Sequence, residues 1–184
     1  DDWLKAQSLA DAPRLAKQID VQAGWEAAVE VVLGHWLQSV LVGKESKYDH
    51  ALGGLDQTSL DFIEDRRGGV KARKGSLAEQ VNAPDAVIGW LNQVSVSDSL
   101  EQALAGREAL DDRTSLITPA GEWIGKGWVR IARGQAGQDS MLAREKMITQ
   151  LKKDLASLST EASGLSEEVS ATRTAVKSTE GRIQ

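Results

Sequence analysis

The chain has 184 residues, 41% of them hydrophobic, a net charge of −5 and no cysteine, the balance of a folded domain rather than a disordered one. Without cysteine, disulfides, thiolate metal sites and cysteine nucleophiles are excluded, and the composition suits a reducing cytosol. No apolar run reaches the roughly 20 residues of a bilayer span, the N-terminus DDWLKAQ is acidic where secretory leaders are basic, and the acidic balance confines any nucleic-acid contact to a local patch.

The first residue is Asp1 rather than Met, which points to a segment excised from a longer chain. Trp3, Leu4 and Leu9, ahead of Pro13, read as the last turns of a helix. Gly24 precedes a helical stretch over 25–37, in which Ala28, Val29, Val32, Leu33 and Trp36 share a face. A strand over 39–42 follows, then a short helix over 47–52 ended by Gly53 and Gly54, and a strand over 58–63. Residues 65–75 are polar, basic and glycine-rich, and read as a loop. Pro84 opens a helix over 84–91. A strand over 93–96 leads to a helix capped by Ser97 or Asp98 and running to about Arg107. Strands are expected over 114–118, 122–124 and 127–132, with turns at Pro119-Ala120-Gly121 and Gly125-Lys126. AVEVVLGHWLQSVLV (28–42) and AVIGWLNQVSV (86–96) repeat one helix–strand pattern, which implies two related subdomains in a mixed α/β (α+β) fold.

From Met141 the pattern changes. Ile148, Leu151, Leu155, Leu158, Ala162, Leu165, Val169, Thr172, Val176, Thr179 and Ile183 alternate steps of three and four. A period of 3.5 sustained in this way marks a coiled coil rather than a helix lying on a globular core. Gly164 and Gly181 each weaken that helix by about 1 kcal/mol relative to Ala. Three parts follow: 1–12 as the end of an N-terminal arm, 13–139 as a globular domain, and 140–184 as the start of a C-terminal arm. The arms are expected to pair antiparallel, with Trp3, Leu4 and Leu9 on the helix near Leu142 to Leu155.

Four stretches, in order, resemble the hinge domain of bacterial SMC (structural maintenance of chromosomes) proteins. They are GWEAAVEVVLGHWLQSVLV (24–42), AVIGWLNQVSVSDSLEQAL (86–104), SLITPAGEWIGKG (115–127) and REKMITQL (144–151). The resemblance covers nearly the whole chain, and the order of the motifs with coils on both flanks is what makes it specific. It departs where Gly125-Lys126-Gly127 splits the family's glycine pair and where the segment around 43–57 is shortened. The resemblance implies an SMC-hinge-like fold and a two-fold dimer closed by paired edge strands. It further implies a role in chromosome condensation and segregation in a cytoplasmic, nucleoid-associated, condensin-like ATPase whose catalytic heads lie elsewhere. Gly125, Gly127, Trp128, Val129, Arg130 and Ile131 are the candidate dimer interface, since glycines admit a close backbone approach and an exposed edge needs a partner. A plain hairpin turn at the two glycines is the alternative.

Two sets of cations are candidate DNA contacts. Arg66, Arg67, Lys71, Arg73 and Lys74 lie on the glycine-rich loop, where a solvated loop is the alternative. Lys126, Arg130, Arg133, Arg144 and Lys146 lie towards the exit into the coil. Either could meet phosphates without reading sequence. No catalytic constellation emerges. GEWIGKGW has three residues, not four, between Gly121 and Gly125 and lacks Ser or Thr after Lys126, so it is no phosphate loop. His35 and His50 are the only imidazoles and neither has metal-ligand spacing around it. No serine sits in a nucleophile elbow. The chain is thus read as non-catalytic, without cofactor, metal or membrane contact. A DNA-binding module with incidental dimerisation, and a small ligand-binding domain with a coiled-coil oligomerisation tail, are the other readings.

Overall fold

The computed structural model describes residues 2–7, 9–43, 59–131 and 140–180, with Asp2 and 173–180 as backbone alone. It divides into two compact units, Asp1–Ala143 and Arg144–Gln184. The expected helix over 47–52, its glycine stop and His50 lie outside the described residues.

The first unit opens with α1 (Asp2–Ala6), α2 (Leu15–Gln18), β1 (Asp20–Val21) and α3 (Glu26–Leu33). The helix expected to run to residue 37 breaks at Gly34, whose φ of 52° is closed to most side chains, and a 3-10 turn over Gly34–Gln38 continues the chain. β2 (Val40–Val42) pairs in parallel with β3 (Phe62–Glu64). β4 (Val81–Asn82) pairs antiparallel with β1. α4 (Asp85–Leu91) follows Pro84, with the proline at the cap rather than inside the first turn. Then come β5 (Val94–Val96) and α5 (Leu100–Ala105). The cap of α5 is Ser99, not Ser97 or Asp98, because the Ser99 hydroxyl accepts the Gln102 N–H at 3.2 Å. β6 (Ser115–Ile117), β7 (Glu122–Gly125) and β8 (Trp128–Ile131) complete a sheet of order β5-β6-β7-β8, parallel at its first pair and antiparallel thereafter.

The repeated sequence pattern is a repeated structure. Val29 and Leu33 of α3 are buried beside Val87 and Leu91 of α4, and each helix leads to a strand of a parallel pair. The two halves share one core with Leu15, Leu77 and Ile117, all with no exposed surface. Each such side chain contributes about 2 kcal/mol by leaving water.

α1 packs elsewhere than expected. Leu4, 2% exposed, joins Val40 and Val42 of β2, with Trp3, Leu9 and Phe62 around them. Trp3 and Phe62 stand 6.0 Å apart. The apolar side of this short turn packs on the face of β2–β3, distant from it in sequence. α6 (Met141–Glu180) runs as one helix of 40 residues. Its seam residues Ile148, Leu151, Leu155, Leu158, Leu165 and Val169 are all exposed.

Candidate dimer edge and basic surface

β8 is the outer strand of its sheet, hydrogen-bonded to β7 on one side and, among the described residues, to no strand on the other. Its four residues are all exposed, Trp128 by 45%, Val129 by 42% and Ile131 by 49%. Cross-strand pairing gives each face its character. Val129 pairs with the fully buried Ile124 and Ile131 with Glu122, while Arg130 pairs with Trp123 and Trp128 with Gly125.

The candidate interface residues therefore come together, but its two glycines differ. A Cβ on Gly125 would overlap the Trp128 indole, whereas nothing lies within 4 Å of one on Gly127. Gly125 gives a seat to the indole of its own hairpin, which meets Trp123 edge-on at 5.0 Å. Trp123 is in turn held by its Nε1–H donating to Ser115 Oγ at 2.8 Å. Arg107 fixes the tip of the hairpin, its Nε–H donating to the Lys126 carbonyl at 2.8 Å. At the far end of β7, Thr118 donates its hydroxyl to Glu122 at 3.0 Å and accepts the Glu122 N–H at 3.2 Å. Gly121, with φ of 81°, closes that turn.

Trp36, Trp90, Trp123 and Trp128 contribute to a cavity of about 530 Å³ beside the hairpin that no residue pattern foretold. Trp36 and Trp90 are 5.0 Å apart, and His35 lies 5.0 Å from Trp36. Residues so distant along the chain have no common sequence signature; the excess of Trp over other aromatics is the nearest to one.

The glycine-rich basic loop is a cross-braced structure. Asp85, 6% exposed, accepts N–H bonds from Gly69 at 3.1 Å and Val70 at 3.2 Å and meets Arg66 at 3.4 Å. Burial acts to raise the Asp85 pKa, but the Val70 and Gly69 amides and the Arg66 guanidinium outweigh it and hold the carboxyl below 3.8. A Cβ on Gly69 would stand 2.7 Å from Asp85 Oδ2, so a side chain there would shift the carboxylate from its bonds. Asn92 braces the other end, accepting the Arg73 N–H at 2.7 Å and donating to the Lys71 carbonyl at 3.0 Å.

All five loop cations are exposed, and three of them are also hydrogen-bonded. Arg66 is bound to Asp85, Arg67 to Asp65 at 2.8 Å and to the Gln18 carbonyl at 3.0 Å, and Arg73 to the Asn92 carbonyl and Ser95 at 2.9 and 3.0 Å. Among the described residues the ammonium groups of Lys71 and Lys74 have no partner. Of the second cationic set, Lys126 and Arg130 are exposed on the β7–β8 hairpin, Arg144 and Lys146 are exposed on α6, and Arg133 lies outside the described residues. Among the described residues there is no cluster of three or more metal-ligating side chains and no helix long and apolar enough to cross a membrane.

The helix–strand repeat falls within a segment that matches a known family. Residues 9–107 match the family of SMC proteins' flexible hinge domain. The chain belongs to the SMC hinge family. The match ends before β6, so the β8 edge lies outside it. The chromosome partition protein Smc of Xanthomonas oryzae is 33% identical over 156 residues, 85% of this chain. That of Methylococcus capsulatus is 33% identical over 170 residues, 91% of the chain. The chain spans 13% and 14% of the lengths of these relatives. In fold it resembles an asymmetric dimer of the Geobacillus stearothermophilus SMC hinge domain, with a TM-score of 0.62 and 22% identity over 95% of this chain and 80% of that one. It also resembles the Pyrococcus furiosus Smc hinge domain with an extended coiled coil, with a TM-score of 0.52 and 18% identity over 85% of this chain and 63% of that one.

Proposed function

We propose that this hinge is the homodimerisation module of a chromosome-partition Smc protein and that the outer edge of β8 forms part of the contact between two copies. The observation that carries this reading is a strand with three apolar side chains, Trp128, Val129 and Ile131, each more than two-fifths exposed on an edge with no partner strand among the described residues. Unpaired backbone groups beside exposed apolar side chains favour addition of another strand. A two-fold contact is the commonest way to close such an assembly. The dimeric hinge of Geobacillus stearothermophilus has the same fold, which supports the reading.

In this role the chain is a non-catalytic connector. The ATPase of the intact protein lies outside it, the arm of α6 pairs with the protein's own N-terminal arm, and the assembly works on chromosomal DNA in the cytoplasm. Lys126, Arg130, Arg133, Arg144 and Lys146, with Lys71 and Lys74, supply weak, sequence-independent phosphate contacts.

The test is light scattering with circular dichroism on the paired substitution Val129→Glu and Ile131→Glu. The expected product is a folded monomer, because the core rests on Val29, Leu33, Val87 and Leu91 and not on β8. A dimer as tight as the wild type would remove β8 from the interface.

A further inference from the structure

The start of the exit helix is held from a distance. Glu30, on α3, accepts the Ser140 hydroxyl and the Leu142 N–H on the same oxygen, Oε1, each at 2.7 Å. Ser140 Oγ accepts the Ala143 N–H at 3.0 Å. The amides of the second and third residues of α6, which a helix cannot satisfy from within, are thereby both bound. The carboxylate also sits where the helix dipole favours negative charge. Ser140 and Leu142 are 3% and 5% exposed, and Leu142 belongs to the core cluster of Leu33, Val87 and Leu91. The first turn of α6 is thus built into the hinge.

The same helix, α3, is packed on the sheet that ends in β8. At the turn into β7, Gly121 comes so close that a Cβ would lie 3.1 Å from Val31 Cγ2 and 3.4 Å from the Ala27 carbonyl. β7 carries β8 through four paired positions. A displacement of the hairpin therefore presses on α3, and α3 holds the helix start through one carboxylate.

We propose that Glu30 is a coupling residue that passes a change at the β7–β8 edge to the first turn of α6. This inference rests on the reading of β8 as a dimer contact. It predicts that association of two hinges and fixation of the arm's first turn favour each other, since coupling between two sites is reciprocal.

Hydrogen exchange at the Leu142 and Ala143 amides reads this coupling. Glu30→Ala should speed exchange at those amides about ten-fold while leaving the protection of Val29 and Leu91 unchanged. Glu30→Gln, which keeps the accepting oxygen, should restore most of the protection. The Val129→Glu and Ile131→Glu pair should alter exchange at Leu142 and Ala143 in the wild type and leave it unaltered in Glu30→Ala. Dilution through the dissociation range makes the same comparison without altering β8, and light scattering reports the dimer independently. Equal protection in Glu30→Ala and the wild type would overturn the proposal, as would a general loss of protection across the core. A dimer whose dissociation leaves both amides unaffected would overturn the coupling alone. A chain that stays monomeric at every concentration would overturn the interface reading as well.

Discussion

The Trp128 indole lies directly over Gly125, the residue opposite it in the β7–β8 hairpin. The edge strand and its most exposed aromatic are positioned by an absent side chain. Gly125→Ala should force the indole off its seat, disturb its edge contact with Trp123 and cost about 1 kcal/mol, as small overpacking does. Gly127→Ala, with open space around it, should be close to neutral. Near-ultraviolet circular dichroism and thermal unfolding of the two variants distinguish these outcomes. Equal effects would mean that the indole is free to move.

The brace at Asp85 makes an acid-sensitive contribution to stability. Its native pKa lies below the ordinary 3.8, so the stabilisation is fully present above that value and is lost as pH falls through the native pKa. Asp85→Asn should weaken the domain at neutral pH and flatten its stability change below about pH 4. Acid titration of the unfolding midpoint checks this; a variant with the wild-type acid profile would remove Asp85 from the account.

Bonding separates the roles of the loop cations. Arg73→Ala, which breaks bonds to Asn92 and Ser95, should lower the unfolding temperature. Lys71→Ala and Lys74→Ala should leave that temperature unchanged and each reduce the salt slope of DNA binding by about one unit if the group meets a phosphate. Unchanged slopes would leave any DNA contact to the other cations.

All six tryptophans lie between residues 3 and 128, so their fluorescence reports on the first unit while far-ultraviolet circular dichroism also reports on α6. The seam residues of α6 are exposed, and most helical stability in proteins comes from packing of an apolar face. The dichroism should therefore begin to fall at a lower temperature than the fluorescence. Gly164→Ala, with no neighbour within 4 Å, should stabilise only the first phase, by about 1 kcal/mol. A single coincident transition would mean that the two units melt together.

Local and periodic features were legible in the residues themselves. The 3.5 spacing from Ile148 gave the long helix, because a seam written into every turn requires no knowledge of its partner. The recurring Val and Leu of 28–42 and 86–96 gave two helix–strand units with their buried faces, because burial imposes its period on the chain. The strands over 127–132 and 122–124 were readable too, yet their order was not. That β8 is the outermost strand follows from β6 pairing with β5 in parallel on one side and with β7 on the other. Nor could sequence show that Leu4 lies on β2–β3 or that the exposed Arg66 and Arg73 are also bonded to Asp85, Asn92 and Ser95. It also could not show that Glu30 binds residues 110 and 112 positions away. These depend on contacts between segments far apart in the chain, where one polar side chain carries no periodic signal and only the folded backbone decides which donor reaches it.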